Sequence, residues 1–169
     1  MKIQKIFYST ALAFLLSLSC HGQVKLRMEL LSESRDSIKI KITSTNTSRT
    51  DTLLFYTPTE SSFCVTVLSI DFNQVGTNKG HSYFPCNEMV DLDHILLNKT
   101  NSVLIPSSDS YSFIMSLDKK GISPHLKKGK YRMKASLYHG YGNFKLESDT
   151  KFSIFRGNTT SNDVIIDGK

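Results

Sequence analysis

The chain has 169 residues, a formal charge of +6 and no tryptophan. A single domain is the default at this length. Even with an N-terminal segment set aside, about 147 residues bury roughly two thirds of the unfolded chain's surface, which excludes a scaffold that depends on staples for its core. No internal repeat or low-complexity tract is present, which excludes a solenoid or a linker-like chain.

The first element is a signal. Met1 to Gln23 carries Lys2 and Lys5, then an apolar stretch over 11–18, then Ser17-Leu18-Ser19-Cys20-His21-Gly22-Gln23. Charged, apolar, small is the order of a secretory signal peptide, and the apolar run is far short of the ~20 residues of a membrane-spanning helix. Two processing outcomes compete. Leu18-Ser19-Cys20 resembles a bacterial lipobox, which implies acylation of Cys20; Ser17 stands where that motif usually has leucine. The alternative is cleavage after Gly22, leaving Gln23 as the new N-terminus. If Val24 already begins a strand, a lipid on Cys20 leaves three tether residues that span ~10 Å, which predicts a domain lying almost flush with the bilayer.

Export alters how the cysteines read. With Cys20 acylated or discarded, Cys64 and Cys86 remain. An oxidising compartment suggests a disulfide between them, closing a loop of about 20 residues and contributing roughly 3 kcal/mol. Two buried free thiols are the plain alternative.

Past residue 23 the pattern alternates. Val24, Leu26, Met28 and Leu30 share one face against Lys25, Arg27 and Glu29, and Ile38, Ile40 and Ile42 alternate with Lys39 and Lys41. Period two predicts half-buried strands, joined here by the polar loop 32–36. Further strands are predicted at 52–57, 63–72, 102–105, 111–117, 130–138, 144–148 and 151–155, and no long amphipathic helix is predicted. Many short strands with polar turns predict an all-β antiparallel sandwich over 23–156, with 157–169 as a tail or late edge strand.

The run Leu126-Lys127-Lys128-Gly129-Lys130-Tyr131-Arg132-Met133 resembles the start of strand F in immunoglobulin-like domains. That resemblance implies a sandwich of about seven to nine strands and makes Tyr131 the corner tyrosine whose hydroxyl bonds to upstream backbone, with Met133, Ala135 and Leu137 following into the core. The segment 106–113 with the later Gly129-Lys130-Tyr131 is also similar to bacterial accessory domains of the intracellular-proteinase-inhibitor type. That similarity covers the last third of the mature chain and implies a domain that presents a loop to an enzyme.

Residues 73–98 fit no neat strand. They read as a loop pinned by Cys86, with Tyr83 and Phe84 as ligand contacts or packing, ending in a helical turn or edge strand near 92–97; a loop of this length inside a domain is often functional. Asp91, Asp93, His94 and His81 are the sole cluster of ligand-type residues, without the convergence that a zinc site needs, so no metal and no cofactor are expected. No Gly-x-Ser-x-Gly elbow, P-loop or dinucleotide fingerprint is present, and no catalytic residue is assigned.

Charge is the softer clue. Losing Lys2 and Lys5 with the signal lowers the formal +6 by two, and the rest of the excess is local: 119–134 holds seven cations and no acid. Lys130, Arg132 and Lys134 share the strand face opposite Tyr131 and Met133, with Lys127 and Lys128 just before them. This reads as a patch for anionic headgroups, acidic glycan or an acidic envelope protein, or as a solvated face that blunts edge pairing. Tyr138, His139 and Tyr141 border a glycine-rich turn where immunoglobulin-like binders place contacts. The sequence thus predicts an exported, non-catalytic envelope module, periplasmic or outer-surface. An inhibitor-like domain and an envelope enzyme without recognisable motif are the alternatives, and nucleic acid is not an expected partner.

Overall fold

Strands form where the period-two pattern is cleanest. The computed structural model describes residues 23–57, 67–85, 96–122, 126–139, 145–146 and 152–168. In chain order the elements are β1 (Val24–Glu33), β2 (Ser37–Asn46), β3 (Leu53–Tyr56), β4 (Val67–Gln74), β5 (Gly80–Tyr83), β6 (Leu96–Leu97), β7 (Ser102–Ile105) and β8 (Ser110–Asp118). There follow a single helical turn α1 (Lys119–Ile122), β9 (Lys130–Tyr138), β10 (Lys145–Leu146), β11 (Ser153–Ile154), β12 (Asn158–Thr160) and β13 (Val164–Asp167). The protein is all-β.

Two antiparallel sheets face each other. The first has the order β1-β2-β8; in the second, β9 and β4 are central, β5 flanks β4, and β12 and β13 pair in succession along the free edge of β9. A small sheet, β11-β3-β7, and the parallel pair β6 and β10 lie outside these two. The inner faces carry the predicted Leu26, Met28, Ile38, Ile40 and Ile42 from the first sheet and Met133, Ala135 and Leu137 from the second, joined by Leu68, Ile70 and Phe72 of β4, all buried in one core cluster. Each large aliphatic side chain so buried stabilises the fold by about 1.5–3 kcal/mol.

The last segment is no frayed tail. Ser161 and Asn162 form a bulge between β12 and β13, and Asn162, with Thr159, ties the second sheet to the first. Asn162 Oδ1 accepts from Met28 N (3.0 Å) and its Nδ2 donates to Met28 O (3.1 Å), while Thr159 Oγ1 donates to Val24 O (3.2 Å). A side-chain amide thereby takes the place of a strand partner on the exposed edge of β1. These bonds also fix polarity: Val24 and Tyr138 lie at one end of the sandwich, Glu33, Gln74 and Lys130 at the other.

Candidate functional site

The tyrosine corner shapes the site. Tyr131 is buried, and its hydroxyl accepts the Lys127 N–H at 2.8 Å, closing a short loop at the entry to β9. Gly129 in that loop has φ 141°, a conformation open to glycine alone, and a Cβ there would also press on Gln74 Nε2 at 3.0 Å. Gly168 closes the corner from behind: its N–H donates to Gly129 O at 2.6 Å, and a Cβ on it would strike the Lys127 carbonyl and the Tyr131 ring. With its ends locked, the loop holds Lys127 and Lys128 outward in solvent.

The β4–β5 hairpin meets this loop. Gln74 N donates to Lys79 O (2.9 Å), Val75 N donates to Lys130 O (2.9 Å), and Gly76 turns the chain at φ 77°. Residues 73–83 are therefore an ordered hairpin rather than the open loop expected from the sequence, and Leu96–Leu97 is a short strand. Tyr83 packs against the core, whereas Phe84 is exposed. Between hairpin and corner lies a cleft of about 70 Å³ lined by Gln74, Lys79, Gly80, His81, Lys127 and Tyr131. Gln74 and His81 belong to the inner side of the sheet, since they pair with the core residues Tyr131 and Phe72. None of these lining residues is acidic.

The strand face beyond is mixed in charge. Lys130 and Arg132 are exposed on it, but Lys134 Nζ lies 3.3 Å from Asp163 Oδ1, and Asp167 stands opposite Lys130 in the β13 register. Asp71, opposite Lys134, accepts from Ser82 Oγ (2.6 Å) and Ser136 Oγ (3.2 Å). These carboxylates come from β4 and the C-terminal segment, so the acid-free stretch 119–134 does not become an acid-free surface. The cationic excess gathers instead at the end of the sheet, where Lys79 and Lys127 line the cleft and Lys128 is exposed beside them.

Tyr138 ends β9 half-buried, opposite Val67 and Asn158. His139 is not a surface residue. Its ring is 2 % exposed and sits edge-on to Phe55 (5.0 Å), Phe155 (5.3 Å) and Tyr56 (6.3 Å), and burial lowers its pKa from 6.5 to about 4. It is a neutral member of an aromatic cluster. Tyr141, Cys20, Cys64, Cys86, Asp91, Asp93 and His94 lie outside the described residues. Among the described residues no three His, Cys, Asp or Glu side chains gather as metal ligands.

Sequence reasoning missed Gln74 and Lys79, and weighed His81 only with Asp91, Asp93 and His94 as a metal ligand. A hairpin signal was present: Gly76-Thr77-Asn78-Lys79-Gly80 separates Leu68, Ile70 and Phe72 from the alternating His81 and Tyr83. Comparison with protein-family models, curated proteins and solved structures finds no match for this chain.

Proposed function

We propose that the chain is an exported, non-catalytic interaction module of the cell envelope whose basic end receives an anionic surface. The observation that carries this reading is that Lys79 and Lys127, from two segments distant in sequence, line one cleft, with Lys128 exposed beside Lys127 in the corner loop. The signal-like order of residues 1–23 supports export, with Cys20 acylated or Gln23 as the mature N-terminus; Cys64 and Cys86 are then available to pair as a disulfide. Cations near an anionic surface are worth about 1 kcal/mol each and act within ~8 Å at physiological salt.

The test is co-sedimentation of the mature protein with vesicles of phosphatidylglycerol in phosphatidylcholine. Binding at low salt, falling steeply as salt rises and lost in a Lys79→Glu, Lys127→Glu, Lys128→Glu variant, is the expected outcome. If wild type and variant partition alike, the basic end is only a solvated surface and the reading falls.

A further inference from the structure

The cleft at the basic end is more specific than a charged surface, and a ligand assigned to it depends on the anionic-partner function and narrows it. Its volume of about 70 Å³ exceeds the ~10–15 Å³ that one water needs, so it has room for a small polyatomic group, and it opens to solvent. Lys79 and Lys127 both line it, one from the hairpin turn and one from the tyrosine corner. Gln74 and His81 line the inner side, and Gly80 offers bare backbone where any side chain would crowd Asn73.

The bases of these side chains are fixed before any ligand arrives. Lys127 N is held by the Tyr131 hydroxyl, Gln74 N by the Lys79 carbonyl, and the Gln74 amide is packed against Gly129. Preorganisation of this kind lowers the ordering cost of binding. Two ammonium groups act as point charges with rotatable donors, suited to a multiply charged tetrahedral oxyanion rather than to the planar fork that arginine grips.

We propose that this cleft binds one phosphate group. The carrier is either a soluble phosphate or a phosphate-bearing lipid headgroup, and the chemistry of recognition is the same in both.

The experiment follows the backbone amides of Gly80, Lys127 and Gly129 by NMR while inorganic phosphate is added to the exported protein at constant ionic strength, with acetate as control. Saturable shifts at these amides, with an apparent Kd raised about fivefold or more in Lys79→Ala and in Lys127→Ala and with acetate weaker throughout, are expected. Both lysines are exposed, so these variants leave the core intact. Phosphatidic acid vesicles that compete with inorganic phosphate identify a headgroup site, and vesicles without effect identify a soluble phosphate; either supports the proposal. Absence of saturable shifts, or shifts unchanged in the double alanine variant, overturns it. Salt-dependent vesicle binding that survives such a result leaves the broader function standing, whereas phosphate shifts retained by a protein that ignores vesicles remove the broader function alone.

Discussion

Two aromatic residues show how similar positions in sequence acquire different work. Tyr131 was legible because its hydroxyl has one partner within four residues, the Lys127 amide at 2.8 Å. Tyr131→Phe keeps the ring and removes that bond, so it should lower stability by about 1 kcal/mol and loosen the lysine loop beside the cleft; urea denaturation checks it. His139 was not legible, because the rings that enclose it come from β3 and from Phe155. Its folded pKa, about 4, lies below the unfolded 6.5. Above pH 6.5 both states are neutral there and the folded state suffers nothing; as pH falls from 6.5 toward 4 the unfolded chain takes up a proton that the folded chain refuses, and stability declines. Between pH 7 and pH 5 the loss should reach about 2 kcal/mol. In His139→Phe that decline should flatten. A wild type and variant with parallel pH profiles of the urea midpoint would show that His139 is not the group responsible.

At the scale of elements, periodicity carried the long strands and failed on the short ones. β1, β2 and β9 each bury a face through several alternations, and a slip by one residue would turn Ile38, Ile40 and Ile42 into solvent. That penalty makes their pattern readable. β12 and β13 lack it: three and four residues long, they follow β9 only because Ser161 and Asn162 are spent on a bulge. Ser161 exchanges backbone and side-chain bonds with Ala135, and Asn162 crosses to Met28. Bonds of that range leave no local trace in the sequence. The candidate site was half legible for the same reason. Lys127, Lys128 and Lys130 stood out as a run, while Lys79 and His81 reach the cleft through a hairpin, and the neutralising Asp163 and Asp167 reach the strand face from the far end of the chain.

The whole molecule has a direction, and it changes what the basic residues can reach. Val24 leaves the sandwich beside Thr159 and Tyr138, whereas Lys130 and Gln74 mark the opposite end. Along the nine residues of β9, at about 3.3 Å per residue, the two ends lie about 26 Å apart. A tether of three residues spans ~10 Å, and a bare charge is screened beyond ~8 Å. A chain held by its N-terminus therefore points its lysine cluster away from its own bilayer, and the short tether that the sequence suggested would press a basic face to the headgroups instead holds the basic end off them. Under the proposed function, a chain anchored in this way would meet an anionic partner in trans. Anchored through an N-terminal hexahistidine tag to neutral nickel-chelating vesicles, the protein should bridge them to phosphatidylglycerol vesicles, with turbidity that collapses at high salt and is absent in the Lys79, Lys127, Lys128 charge reversal. Asp167 and Gly168 sit at the basic end, so anchoring through a C-terminal tag should bury the cluster against the neutral vesicle and suppress bridging. Equal turbidity from both orientations would mean that the cations act from the flank of the sandwich, and the directional argument would fail.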